Sequence, residues 1–76
     1  MKTKYKDIEF QPTILNGIWN CLNRRHRTIL GTVAWDHKRK QWVFCPESDV
    51  ELKFTQACHV DIADFLGQLN EGGKPK

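Results

Sequence analysis

No stretch of this 76-residue chain approaches the roughly eighteen consecutive apolar residues that a bilayer-spanning helix needs. The opening residues, MKTKYKDIEF, lack an apolar segment of the secretory-signal kind. No membrane partner is therefore expected. Cysteine is scarce and odd in number: Cys21, Cys45 and Cys58 cannot all pair within one chain. Short secreted domains usually carry an even, staple-like set, so free thiols in a reducing cytosol are the expectation.

Other absences bear on chemistry. No two Cys and no two His stand at CxxC or HxxxH spacing. Cys21 and Cys45 fall inside β-prone runs, so they read as small buried hydrophobes rather than zinc ligands, and no metal is expected. Phosphate-cradling glycine patterns are missing, because Gly31 is isolated and Gly72-Gly73 lies near the end. Ser48 sits between Glu47 and Asp49 without a glycine elbow. Cys58 and His59 are neighbours on a predicted helix, which turns their side chains about 100° apart. Convergent catalytic groups are lacking, so no enzyme, no cofactor and no small-molecule substrate are expected.

What is present is one small core and an uneven charge. Hydrophobic residues make up 39% and charged residues 28%, enough apolar material for one domain and too much for a disordered chain. The net charge of +3 conceals a basic middle: residues 24–40 carry Arg24, Arg25, Arg27, Lys38, Arg39 and Lys40 against Asp36 alone. Residues 41–76 carry three Lys against six acids. A dipolar surface follows if those regions occupy different faces.

Periodicity sets the expected fold, a single domain over 1–76. Residues 5–10 alternate apolar and polar and predict an edge strand ended by Pro12. Residues 18–45 contain three β-prone runs joined by polar links, which predicts a three-stranded antiparallel meander. Val50, Leu52 and Phe54 alternate as well, consistent with a fourth strand or with an extended lead-in to the helix. Thr55 is a good N-cap, and Cys58, Ile62, Phe65, Leu66 and Leu69 form a helical stripe. A helix over 56–70 is predicted, followed by a flexible tail over 71–76. The fold class is thus α+β, a three- to four-stranded antiparallel meander packed on one face against a single C-terminal helix.

Register can be argued from the links. Closing the second hairpin at Asp36 and Gln41 sets Trp35 opposite Trp42 and Val33 opposite Phe44. Closing the first at Asn23 and Thr28 sets Leu22 opposite Ile29 and Ile18 opposite Val33. One face then holds Ile18, Leu22, Ile29, Val33, Trp35, Trp42 and Phe44, and the helix is expected to cover it. The other holds Trp19, Cys21, Leu30, Thr32, Ala34, Val43 and Cys45. A one-residue slip exchanges members between the faces. Gly31 in mid-strand is expected to admit the helix backbone.

The lighter face is the expected functional surface. Trp19, Leu30 and Val43 form an apolar centre, and Arg24, Arg25, Arg27, Lys38, Arg39 and Lys40 form its rims. Such a surface suits a protein partner, foreign or a second copy, with Trp19 as anchor and the cations steering encounter. The alternative is a nucleic acid lying along the sheet with both basic clusters on phosphates. Against it, Leu30, Ala34 and Val43 are poor base readers, and Glu47, Asp49 and Glu51 repel phosphate.

The segments LGTVAWDHKRKQWVFCPE and CHVDIADFLGQLN resemble small proteins encoded by phages and prophages, which join a Trp-rich β-hairpin to a helix of IAxFLxxLN type. The resemblance covers about residues 17–70 and rests on Gly31, Trp35, Trp42, Phe44, Pro46, Ile62, Ala63, Phe65, Leu66 and Leu69, mainly core positions. It implies the same fold and carries no catalytic residue. It further implies an accessory protein of the host cytoplasm that binds and blocks host machinery, bacterial defence complexes included.

Overall fold

The computed structural model describes residues 1–47 and 56–75. Strands β1 (Ile8–Pro12), β2 (Ile18–Asn23), β3 (Ile29–Asp36) and β4 (Gln41–Pro46) form one antiparallel sheet in the order β1-β2-β3-β4. Helix α1 (Gln56–Gly72) packs against one face of it. The α+β meander with a C-terminal helix is therefore the observed architecture. The alternation at residues 50–54 and the cap at Thr55 lie outside the described residues.

The first strand begins later than its alternation suggests, because the chain reverses ahead of it. Tyr5 N–H donates to Ile8 O at 2.8 Å, and Phe10 N–H donates to Thr3 O at 2.8 Å. Residues 1–4 consequently run back beside β1, with Lys4 bridging Glu9. A polar strap then joins this segment to the helix. The Tyr5 hydroxyl donates to Asp64 Oδ2 at 2.7 Å, and Gln68 exchanges bonds with Lys2 N (2.8 Å) and Lys2 O (2.9 Å). Burial, reinforced by the Asp64 carboxylate, pushes the Tyr5 hydroxyl pKa up.

The second hairpin has the expected register, with Trp35 opposite Trp42 and Val33 opposite Phe44. The first does not. Leu22 faces Ile29 as anticipated, yet Cys21 faces Gly31, so Leu30 is an extra residue, a β-bulge. Beyond the bulge the pairing is displaced by one: Ile18 faces Ala34, and Trp19 faces Val33. Because side chains alternate with period two, that single residue turns β2 over relative to the expectation. Trp19, Cys21 and Leu30 join the core face, while Ile18, Leu22 and Ile29 move to the outer one.

The core centres on Phe65, which is fully buried. Its ring stacks on Phe10 with centroids 3.9 Å apart and planes 4° from parallel, and Trp19 meets it edge-on at 5.1 Å. Cys58, Ile62 and Leu69 complete the predicted helical stripe, all buried, with Leu66 packed beside them. Gly31 is needed for a reason other than the helix. A Cβ there would lie 2.5 Å from Cys45 O and 2.7 Å from Phe44 Cζ, so the Phe44 ring and the β4 backbone occupy that space.

The helix runs two residues past its predicted end and stops at Gly73, whose φ of +78° suits a left-handed cap. Asn70 Oδ1 accepts from Trp42 N–H at 2.8 Å, and Trp42 Nε1–H donates to Gly73 O at 2.8 Å. Pro75 rests against Gly17 (φ +88°), where an added Cβ would meet its Cγ at 3.1 Å. The tail expected to be flexible is thus fastened to the sheet through residue 75.

These contacts order three substitutions by urea midpoint. Phe65→Ala is expected to cost about 3–5 kcal/mol, and Gly31→Ala about 1–3 kcal/mol through overpacking. Gly67→Ala, on an open helix surface with nothing within 4 Å of the new methyl, is expected to raise stability by about 0.5–1 kcal/mol.

Candidate binding face

The outer face of the sheet is banded. Pairing places Glu9, Leu22 and Ile29 in one row across the strands and Gln11, Asn20, Thr32 and Cys45 in the next. Ile18, Ala34 and Val43 make the third. Among the described residues no strand or helix lies across these rows. Ile29 is 44% exposed, and Ile18, Ala34 and Val43 are each half-buried. Leu22, between Glu9 and Ile29, is buried.

The β2–β3 and β3–β4 links use one device. Asn23 Oδ1 accepts the N–H groups of Arg25 (2.9 Å) and His26 (3.0 Å), and Arg27 follows in the left-handed region at φ +59°. Asp36 Oδ1 accepts those of Lys38 (2.9 Å) and Arg39 (3.3 Å), and Lys40 follows at φ +53°. An Asx side chain that bonds the backbone two and three residues on is the reason NRRHRT and DHKRKQ both make four-residue turns. The turns stand at opposite ends of β3, about 25 Å apart for a strand of this length.

The two basic clusters are not equivalent. Arg24 donates from Nη1 to Tyr5 O at 2.6 Å, and its N–H bonds Asp7 O at 2.9 Å, so it fastens the N-terminal reversal. Arg27 reaches back over the sheet to Glu9, Nη1 to Oε1 at 2.6 Å. Glu9 is 6% exposed, so the pair holds a buried carboxylate in place on the outer face. Arg25 remains exposed at this end. At the other end Lys38, Arg39 and Lys40 are all exposed, with Arg39 Nε 3.9 Å from Asp36.

Of the residues expected to form the binding surface, Val43 lies on the outer face and Arg25, Lys38, Arg39 and Lys40 stand at its ends. Trp19 and Leu30 do not; both pack into the helix-covered core. Arg24 and Arg27 serve the fold. Residues that the register argument missed are Ile18, Leu22 and Ile29, displaced by the bulge, together with Gln11. A mid-strand glycine beside the slip was the available signal, since such glycines mark bulges.

The chemistry within reach is limited. Cys21 and Cys58 are buried in the core and Cys45 is exposed on the outer face, so the three thiols do not converge. Burial, with Cys58 adding a smaller push, raises the Cys21 thiol to about 12. Among the described residues no group of three His, Cys, Asp or Glu side chains is placed to hold a metal ion, and no helix is long and apolar enough to cross a membrane. An open cleft of about 420 Å³ lies where Asn16 and Gly17 meet Trp35, His37 and Pro75, with Ile18 and Ala34 also lining it.

Thiol placement predicts reactivity. A disulfide reagent applied near pH 8 is expected to titrate Cys45 quickly in the native protein, and all three cysteines only in urea. Above pH 9, the ordinary thiol value, the unfolded chain loses the Cys21 proton while the native state keeps it. Stability should therefore fall between about pH 9 and pH 12, with a slope of up to about 1.4 kcal/mol per pH unit. Tyr5 acts in the same direction above its own ordinary value. Urea midpoints across this range, compared with those of Cys21→Ala, isolate the thiol contribution. No family model matches the chain, and neither does any curated protein or solved structure.

Proposed function

We propose that this protein is a non-enzymatic binding module that presents its outer sheet face to an acidic partner protein. The observation that carries the reading is the pair of apolar rows, Leu22–Ile29 and Ile18–Ala34–Val43, set between turns that carry exposed cations. Apolar area of this kind supplies affinity when covered, and flanking charge of one sign selects and steers the partner. The docking centre is Ile29 and Val43 rather than Trp19.

Charge argues for a foreign partner over a second copy. A two-fold, face-to-face pair brings a basic turn against a basic turn in either orientation of the strands. Light scattering is accordingly expected to give the 8.9 kDa monomer at micromolar concentration. The resemblance to phage-encoded accessory proteins supports a target among host or bacterial defence complexes in the host cytoplasm, and three cysteines outside any disulfide suit that compartment.

Nucleic acid is a second reading, favoured by the row Gln11–Asn20–Thr32, whose hydrogen-bonding side chains cross the sheet. Two features weigh against it. Arg24 and Arg27 are engaged within the fold, which leaves Arg25 as the main phosphate contact at that end. Five apolar side chains share the face with those three polar ones.

Capture from host lysate, with and without nuclease, compares wild type with Ile29→Asp and with Lys38→Glu/Arg39→Glu. An acidic protein retained by wild type after nuclease and lost by both variants supports the protein reading. Retention by Ile29→Asp at wild-type level overturns it. Loss of capture on nuclease treatment, with duplex binding that falls steeply as salt rises, transfers the assignment to nucleic acid.

A further inference from the structure

The link between β1 and β2 ends in two apolar side chains that nothing among the described residues buries. Ile14 is fully exposed and Leu15 is 60% exposed. The turn is nonetheless well fastened. Thr13 Oγ1 accepts Leu15 N–H at 3.1 Å and stands 2.9 Å from Ile18 O, while Ile18 N–H donates to Leu15 O at 3.3 Å. From one side Trp35 N–H bonds Gly17 O at 3.3 Å, and from another Pro75 packs on Gly17. Hydrogen bonds thus hold Ile14 and Leu15 out in water.

Strand order places this apex at the same end of the sheet as the β3–β4 turn, with Lys38, Arg39 and Lys40. The helix C-terminus arrives there too, because Trp42 holds Asn70 and Gly73, which brings Lys74 alongside. Among the described residues, Lys38, Arg39, Lys40 and Lys74 gather at this end, and Asp36 there accepts the amides of Lys38 and Arg39. We propose that the end of the sheet formed by Ile14, Leu15, Lys38, Arg39, Lys40 and Lys74 is a peripheral docking site for an anionic phospholipid bilayer.

The chemistry separates this occupant from a protein. A convex apolar apex has no concave surround of its own, and a bilayer yields to it without a preformed pocket. Cations spread over two turns and a tail match a plane of lipid phosphates, each strengthening attraction about fivefold near such a surface. Burial of each apolar side chain in the interface adds roughly tenfold. The site departs from the expectation that no membrane is a partner, which addressed spanning segments. It shares Lys38, Arg39 and Lys40 with the rim of the outer face, but its apolar apex at Ile14 and Leu15 is separate from that face, and the assignment does not depend on the acidic-protein reading.

Co-sedimentation of the full chain with vesicles of phosphatidylglycerol and phosphatidylcholine in equal parts tests the proposal, with pure phosphatidylcholine vesicles beside them. Wild type is expected to pellet with the mixed vesicles, to stay in solution with the neutral ones, and to be released by salt. Ile14→Ser/Leu15→Ser is expected to weaken partition at least tenfold with an unchanged urea midpoint, since both side chains are already in water. Ile29→Asp, which disables the outer face, should pellet like wild type. Failure of wild type to pellet with the mixed vesicles, equal pelleting of the Ile14/Leu15 variant, or loss of pelleting in Ile29→Asp would each overturn the assignment.

Discussion

Phe65 stacks on the flat of the Phe10 ring and meets Trp19 at a steep angle, and this triple contact ties the helix to β1 and β2. Phe10 belongs to β1, Trp19 to β2 and Phe65 to the helix, so one aromatic cluster joins two consecutive strands to a helix far along the chain. In a domain of this size only a few large side chains can supply the apolar burial that offsets chain entropy. Tyr5 extends the cluster, meeting Phe10 edge-on at 5.9 Å and carrying the hydrogen bond to Asp64. The N-terminal reversal, the helix position and the covered face of β2 all depend on this contact.

The bulge at Leu30 decides which side of the sheet each β2 residue joins, and it explains what could be read in advance. Periodicity placed the helix, its stripe from Cys58 to Leu69, and the pairing of Trp35 with Trp42, because those signals are local and repeat over many residues. The bulge is one residue long and breaks the alternation of β3 only at Leu30–Gly31, where the second residue has no side chain, so the pattern alone does not register it. The inversion of Trp19 and Cys21 follows entirely from that. The N-terminal strap was also hidden, since its partners, Asp64 and Gln68, are about sixty residues away in sequence.

The basic clusters show a similar limit. Composition counts Arg24, Arg25 and Arg27 as one positive patch, but the fold gives each a different task. Arg24 secures a turn, Arg27 compensates the buried Glu9, and Arg25 faces solvent. Lys38, Arg39 and Lys40 are left to dominate the field at the other end, beside the apolar apex at Ile14. The molecule's asymmetry thus runs along the strands, from a weakly basic end, where Arg27 is paired with Glu9, to a more strongly cationic one.

Returning residues 1–4 alongside β1 has a consequence for assembly. Strands at the margin of a sheet offer unpaired amides and carbonyls, and neighbouring molecules can polymerise through them. Here the Phe10 amide is already taken by Thr3, and at the far margin the Trp42 amide is taken by Asn70, while Pro46 has no N–H to offer. Both margins are blunted by the chain itself. The first four residues thus do for β1 what the Asn70 side chain does for β4: without them the Phe10 amide would stand unpaired at the margin of the sheet.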